Sequence, residues 1–374
     1  MERSSINTLD FDSFPDDVKT KILCGVPVKT LCVLKCVSKA LNTQIKSPVF
    51  TKFYDKLHFN RTSGDGMKPI ALLAVSNLSL NTLDIDHKIP ASVLPLRRSV
   101  KDTSDLRLIG SANGLVCLCR LPYSFTLVNP TTQEFRVVPY PGSFQVSRQP
   151  PFRLYAFGYD REQDDFIIFS AAAHHYGSWL SVIKFYSAKA ESWEDIPAGV
   201  KVPAHAFSSE FSVYVNGVAH WLGWTGFIDP YKGDLLVRKI MGFNFASKEF
   251  ELLMLDENMD EGEITGLAEL GGCICALVEY YDQSLGIWVM EDYGVVESWR
   301  KTFSIKLRYA SPSAFISPIC YADNEILFRI DNEFVFYDPE ANTTSELMSG
   351  IWTIKKKKGS WLDIVRYEKS IVSP

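Results

Sequence analysis

The chain has 374 residues, of which 46% are hydrophobic and 22% charged, and its formal net charge is −5. This composition is that of a globular protein with enough apolar residues for one large domain or two ordinary ones. The slightly acidic balance lacks the basic footprint of nucleic-acid-binding proteins, so that class of function is disfavoured. The sequence shows neither an apolar run of membrane-spanning length nor a hydrophobic signal segment near Met1, so we also expect no membrane partner.

The cysteine and histidine pattern argues against a metal site. The eight cysteines include the pairs Cys117/Cys119 and Cys273/Cys275, whose spacing is not that of zinc ligands. Side chains alternate along a strand, so each pair would share one face, and we interpret them as buried free thiols. Such thiols suit a reducing compartment, and we expect the cytoplasm and/or nucleus. The pair His174–His175 has no third ligand nearby. We therefore expect no metal and no cofactor.

The stretch from residue 14 to residue 50 predicts a unit of short helices. Pro15 suits a helix start, Gly25 suits a helix end, and Pro27 can start the next helix. Apolar residues recur at helical spacing through the stretch, and Ser47–Pro48 is expected to end it. A unit of roughly 40 residues buries too little surface to be stable alone. We therefore expect it to complete its core against the rest of the chain or against a partner.

Three segments of this unit carry a family resemblance: Phe14–Asp17, Ile22–Leu31 and Lys35–Lys39. In this order they resemble an F-box in the form common in plant proteins, although Phe14 and Ala40–Leu41 depart from the usual residues. The resemblance implies docking onto the Skp-type adaptor of a cullin ubiquitin ligase. The residues expected to contact that adaptor are Pro15, Val18, Ile22, Leu23, Pro27, Leu31, Leu34 and Val37. The alternative is a helical cap on the domain that follows.

The remainder of the sequence changes to short β-like runs separated by turns. Asn113-Gly114, Asn216-Gly217 and Gly271-Gly272 are strong hairpin signals, because such turns need positive φ angles. Four strands per unit at a period of about 45 to 58 residues predict a β-propeller of about six blades. Three strands after Ile70 and one over Trp361–Tyr367 would make a split blade that leaves no open edge. The alternative is an irregular, open β-rich fold.

The β-like half also carries a family resemblance. Gly110–Cys117, Asn129–Phe135, Val215–Leu222 and Ile287–Trp299 are similar to the F-box-associated, kelch-like (type 1) domain. The resemblance implies a domain that recruits substrates. We therefore expect an α+β multidomain chain with a helical F-box over residues 10–55, a linker over 56–67 and an all-β, kelch-like propeller over 68–374.

Blade topology predicts where a target would bind. In an up-and-down blade, the loops after the second and fourth strands lie on one face, and the tight turns lie on the other. The longer loops fall in the first set, and two of them, 171–180 and 223–235, are rich in aromatic residues. Exposed aromatic residues on a rigid scaffold are suitable interface anchors, although they could instead fold back onto the domain. The residues expected to contact a target are His175, Tyr176, Trp179, Trp224, Tyr231 and Tyr281.

The resemblance therefore implies a non-catalytic substrate receptor of an SCF-type (Skp–cullin–F-box) ubiquitin ligase. Its expected partners are the Skp-type adaptor, a cullin reached through that adaptor, and an unidentified protein substrate. Two alternatives remain open. One is a protein-binding scaffold that does not direct degradation. The other is a propeller enzyme, which would need a catalytic or metal cluster in its central channel, and the sequence shows no such cluster.

Overall fold

The computed structural model describes residues 11–59, 70–76, 80–84, 89–94, 106–120, 124–141, 152–173, 180, 182–196, 211–227, 235–306, 316–322, 324–331, 333–341, 343–346 and 362–374. The first of these ranges is a helical unit, and the others build a β domain. The helices are α1 (Asp16–Cys24), α2 (Val28–Leu34), α3 (Lys39–Lys46) and α4 (Pro48–Phe59). No helix in these ranges is long and apolar enough to span a membrane.

The helix boundaries follow from local chemistry. Pro15 and Pro27 are the N-cap residues of α1 and α2, and Gly25 is the C-cap of α1, which confirms the predicted helix boundaries. At the start of α3, the Ser38 hydroxyl accepts a hydrogen bond of 3.1 Å from the Leu41 N–H. The prediction for Pro48 was wrong, because it begins α4 rather than ending the unit. A proline is tolerated there because the first helical N–H has no intrahelical partner.

The β domain is built from strands of three to ten residues. In chain order the described strands are β1 (Ile70–Ser76), β2 (Leu80–Asp84), β3 (Ile89–Leu94), β4 (Leu106–Ala112), β5 (Leu115–Arg120), β6 (Ser124–Asn129), β7 (Glu134–Pro139), β8 (Phe152–Asp160), β9 (Asp165–Ala173), β10 (Val182–Ser187), β11 (Ser192–Asp195), β12 (Val213–Val215), β13 (Val218–Phe227), β14 (Leu235–Asn244), β15 (Glu249–Leu253), β16 (Glu263–Leu270), β17 (Cys273–Glu279), β18 (Ser284–Met290), β19 (Trp299–Lys306), β20 (Ile316–Ala322), β21 (Glu325–Ile330), β22 (Glu333–Asp338), β23 (Thr343–Glu346) and β24 (Leu362–Glu368).

The described strands form six four-stranded antiparallel sheets, and one of them joins the two ends of the domain. In that sheet β24 pairs with β1 from Ile70↔Glu368 to Ser76↔Leu362, which confirms the predicted split sheet. The inner strands β24, β4, β8, β12, β16 and β20 contact one another in a closed ring. The domain is therefore closed, unlike the open alternative.

The main cores of the β domain lie between neighbouring sheets. Phe169 of β9 packs against Trp221 of β13 and Phe243 of β14, and so joins two sheets. Trp299 is buried in the next core, and its indole N–H donates to the carbonyl of Met254 at 3.1 Å. Cys117, Cys119 and Cys275 are buried free thiols, as predicted, and Cys273 is half-buried.

The core of the helical unit includes a residue from the other end of the sequence. Ile371, which follows β24, is 2% exposed and packs with Leu23, Leu31, Ile45 and Phe50. The unit therefore completes its core with the rest of the chain, which was one of the two predicted possibilities. Its structural boundary also differs from the predicted range 10–55, because α4 continues to Phe59 and covers the start of the predicted linker.

Candidate functional site

Exposed apolar side chains mark the outer surface of α1, of α2 and of the turn that follows α2. Ile22 is 46% exposed, Val37 is 66% exposed, and Val33 is also exposed. Other residues of the same helices fill the interior: Leu23, which follows Ile22, and Leu31 are both inside the helical core. Exposed aliphatic groups beside a packed core are suited to contact a protein partner.

The eight residues predicted to bind an adaptor divide between this surface and the interior. Four are exposed, namely Pro15, Ile22, Pro27 and Val37. Two are half-buried, namely Val18 and Leu34. The remaining two are Leu23 and Leu31, which lie in the core. In this conformation Leu23 and Leu31 pack beneath the exposed residues and do not form part of the surface.

A second apolar stripe on α4 was missed by the sequence reasoning. Val49, Phe53 and Leu57 are exposed, and their spacing of four residues places them along one side of the helix. Phe50 and Tyr54 point to the other side and are buried. The apolar residues at positions 49, 53 and 57 would have predicted this stripe if a helix had been expected to begin at Pro48.

The six aromatic residues predicted to contact a target are described only in part. Tyr281 is 100% exposed in the turn between β17 and β18. The prediction that Trp224 lies in a loop was wrong, because its backbone lies in β13, where it pairs with Arg238 of β14. The other four, His175, Tyr176, Trp179 and Tyr231, lie outside the described residues.

The turn that presents Tyr281 is held by its neighbours. The Tyr280 hydroxyl accepts a hydrogen bond of 2.9 Å from the indole N–H of Trp288, and the Lys301 ammonium lies 3.8 Å from the Tyr280 ring centroid. Asp282 accepts hydrogen bonds from the hydroxyl and the N–H of Ser284, which lower the pKa of its carboxyl. Tyr281 is therefore an exposed aromatic residue in a turn whose neighbouring residues are held by hydrogen bonds.

The helical unit occupies one face of the β domain. We name the face with the turns after the first and third strands of each sheet the turn face, and the opposite face the loop face. The Lys35 and Lys46 ammonium groups each lie 3.7 Å from the Glu134 carboxylate, beside the turn between β6 and β7. Lys52 pairs with Asp164, in the turn between β8 and β9. These contacts place the helical unit on the turn face, whereas Tyr281 projects from the loop face.

A cavity of about 570 Å³ opens where the inner strands end on the turn face. On its wall the Arg366 guanidinium donates to the Glu269 carboxylate at 2.8 Å, and that carboxylate also accepts from the Gly272 N–H at 2.6 Å. Arg161 and Glu291 also line the cavity, so both charge signs are present. The sequence predicted no site at this cavity, because the glycines that line it indicated only tight turns.

His220 lies beside this cavity in a buried hydrogen-bond network. Its Nδ1 is 3.2 Å from the Val213 carbonyl, and its Nε2 is 2.8 Å from the Tyr293 hydroxyl, which is also 3.0 Å from the Glu251 carboxylate. Burial lowers the pKa of His220 to about 4, so the ring is neutral near pH 7. The Tyr293 hydroxyl has one hydrogen, so it can donate to either the His220 imidazole or the Glu251 carboxylate, but not to both at once. His220 is therefore a packed, hydrogen-bonded side chain.

Three buried thiols have raised pKa values, and the described residues contain no metal cluster. Burial raises the pKa of Cys117 and Cys275, and raises that of Cys320 to about 12, so these thiols stay protonated near pH 7. Within the described ranges, no group of three His, Cys, Asp or Glu side chains could hold a metal ion. His174–His175 lies outside those ranges.

Comparisons with protein families match both parts of the chain. Residues 69–370 match the family described as "F-box associated beta propeller domain". Residues 11–53 match the family described as "F-box domain".

Comparisons with individual proteins find relatives in Arabidopsis thaliana. F-box protein CPR1 is 24% identical to this chain over 90% of its length and 84% of the relative's length. F-box protein At4g22390 is 23% identical, with 88% and 84% covered, and F-box/kelch-repeat protein At3g23880 is 24% identical, with 84% of each covered. Among solved structures, an oligogalacturonate lyase in complex with manganese is similar at 10% identity, with a TM-score of 0.41 over 72% of this chain and 70% of the other.

Proposed function

The chain belongs to the family of F-box proteins with an F-box associated beta-propeller domain, and we propose that it is the substrate-recognition subunit of an SCF-type ubiquitin ligase. The F-box unit would bind a Skp-type adaptor, and through it a cullin, while the β domain recruits a protein target. The observation that carries this proposal is the placement of an F-box with exposed apolar residues on the face opposite to exposed Tyr281. In this function the chain supplies proximity, and other subunits supply the chemistry.

Adaptor docking is assigned to the exposed part of the predicted set. Ile22 and Val37 offer apolar area, with Pro15 and Pro27 exposed at the starts of their helices. The half-buried Val18 and Leu34 would extend this area. Burying such aliphatic groups against a partner is favourable by about 25 cal/mol per Å² of apolar surface. Leu23 and Leu31 would act by holding the helices that present these residues.

Target binding is assigned to the loop face. Tyr281 supplies an aromatic anchor on a fixed turn, and aromatic anchors of this kind often dominate interface energies. The loops that contain His175, Tyr176, Trp179 and Tyr231 are proposed to extend the same surface, together with Trp224. We also propose that the six sheets are the blades of one kelch-like propeller, and that the protein works in the cytoplasm and/or nucleus.

Co-purification with a plant Skp-type adaptor tests the ligase role. The test variant is the double substitution Ile22→Asp and Val37→Asp, which changes exposed positions so that the helical core stays intact. We expect stoichiometric capture by the wild-type chain and at least tenfold weaker capture by the variant, because a carboxylate in the interface must be desolvated. Leu252→Asp, at an exposed position of β15, is the matched control.

Failure of the folded wild-type chain to bind the adaptor would reject the ligase role and favour the non-degradative scaffold. Binding without ubiquitin transfer to any protein captured by the β domain would also favour the scaffold. For the target face, proximity labelling with wild type and Tyr281→Ala identifies proteins whose capture depends on this ring. Identical labelling by both would remove Tyr281 from the proposed interface.

A further inference from the structure

The chain after β24 connects the two domains through consecutive side chains. We name Ser370–Val372 the clasp segment. Ile371 enters the core of the helical unit, whereas Val372 packs against the core between the sheets β4–β7 and β8–β11. Neighbouring side chains of an extended chain point in opposite directions, so a single short segment can serve two cores.

Asn129, the last residue of β6, holds the clasp segment from the β domain. Its side-chain N–H groups donate to the carbonyls of Ser370 at 3.1 Å and Val372 at 2.7 Å, with the Ser370 hydroxyl at 3.3 Å. Its side-chain oxygen accepts from the N–H groups of Thr131 at 2.8 Å and Thr132 at 3.1 Å, which forms the turn before β7. Asn129 is fully buried, and hydrogen bonds satisfy both its side-chain NH₂ group and its side-chain oxygen.

The surroundings leave the clasp segment little freedom. Ser370 is fully buried beside Gly114, where a Cβ built on the glycine would lie 2.0 Å from the Ser370 hydroxyl oxygen. Gly114 also has a φ of +84°, which favours glycine. Beyond the segment, the Ser373 hydroxyl donates to Glu134 at 2.9 Å, the same carboxylate that lies near Lys35 and Lys46 of the helical unit.

We propose that the clasp segment fixes the orientation of the helical unit on the β domain, so that the F-box surface and the loop face keep a constant separation. Asn129 is the positioning residue, and Ile371 is the contact it positions. The meaning of this separation for ubiquitin transfer rests on the proposed ligase function. The mechanical coupling itself depends only on the contacts described above.

The substitution Asn129→Asp tests the coupling with almost no change in shape. The new carboxylate keeps an oxygen for the Thr131 and Thr132 N–H groups, but it replaces the donor to Ser370 and Val372 with an acceptor facing two carbonyls. Asn244→Asp is the matched control, because Asn244 makes the equivalent turn bonds to the N–H groups of Ala246 at 3.0 Å and Ser247 at 3.2 Å in a different sheet.

Amide hydrogen exchange and small-angle X-ray scattering of the full chain give the readout. For Asn129→Asp we expect at least tenfold faster exchange in α1 to α4, unchanged exchange in the strands, and a larger maximum dimension in scattering. For Asn244→Asp we expect the exchange in the helices and the scattering curve of the wild type. Ile371→Ala, which leaves the bonds of Asn129 in place, should also accelerate exchange in the helices alone.

Two results would overturn the proposal. One is helix protection and scattering in Asn129→Asp that match those of Asn244→Asp. The other is equal acceleration in helices and strands for both Asn129→Asp and Ile371→Ala, which would show general destabilisation instead of loss of one contact. Adaptor capture is measured separately, so a failure of the ligase role leaves the exchange result interpretable, and the reverse also holds.

Discussion

The two domains solve the problem of covering apolar surface in different ways. The β domain closes its ring of inner strands and buries tryptophan and phenylalanine between neighbouring sheets. The helical unit has a small core completed by Ile371, and it carries six of the twelve exposed large hydrophobic residues of the described chain. The β domain is therefore closed by its own strands, whereas the helical unit depends on contacts beyond its own helices.

The largest expected effect on stability comes from removing the buried indole of Trp299 from a core between two sheets. Trp299→Ala should lower the free energy of unfolding by about 3 to 5 kcal/mol, because it leaves a cavity between two sheets and an unpaired Met254 carbonyl. Urea unfolding followed by circular dichroism provides the measurement, with exposed Leu252→Ala as control. A change below about 1 kcal/mol would contradict the idea that these inter-sheet cores hold the ring together.

The next effect separates the two domains. Ile371→Ala should lower the stability of the helical unit by about 2 to 4 kcal/mol, since a buried isoleucine is lost from a small core. We expect calorimetry to show an early transition for the helices while the β domain keeps its melting temperature. A single transition that shifts as a whole would mean that the domains unfold together.

The smallest of the three effects depends on pH. The pKa of His220 falls from 6.5 to about 4 on folding because the ring is buried, so the unfolded state binds more protons between these values. The stability contribution is present above pH 6.5 and is lost as the pH falls towards 4. The loss should reach about 3 kcal/mol at most, at about 1.4 kcal/mol per pKa unit.

The control for this prediction is His220→Asn, whose amide can still donate to the Val213 carbonyl but does not titrate. The difference in unfolding free energy between wild type and this variant should shrink as the pH falls from 7 to 4. A pH-independent difference would show that the pKa of His220 is the same in the folded and unfolded states, and that burial beside Tyr293 does not lower it.

The sequence predicted those features whose signal is local. Asn113-Gly114 predicted a hairpin turn because both residues need positive φ, and the observed angles are 43° and 84°. Pro15, Gly25 and Pro27 marked helix ends for equally local steric reasons. The split sheet was predicted by counting the strands along the whole sequence and requiring that the domain close. That prediction did not require knowing which side chains are in contact.

Features that depend on long-range packing were not predictable in this way. Ile22 and Leu23 were both expected to contact the adaptor, yet only the packing of α4 and Ile371 decides that Leu23 is inside and Ile22 is exposed. Nothing local in Ser370–Val372 indicates a contact with residues far away in the chain. The candidate adaptor surface was therefore predicted as a region, and the division of its residues came from the structure.

The position of β24 has a consequence for synthesis on the ribosome. β1 emerges early and can pair with β2, but β24, its partner on the other side, is made only after nearly the whole β domain has been translated. The helical unit emerges even earlier, and its core waits for Ile371. A nascent chain interrupted before this point would expose an unpaired β1 edge and an unfilled helical core, both of which chaperones bind. Release of the segment from β24 to Ile371 thus supplies the missing strand and the missing core residue together.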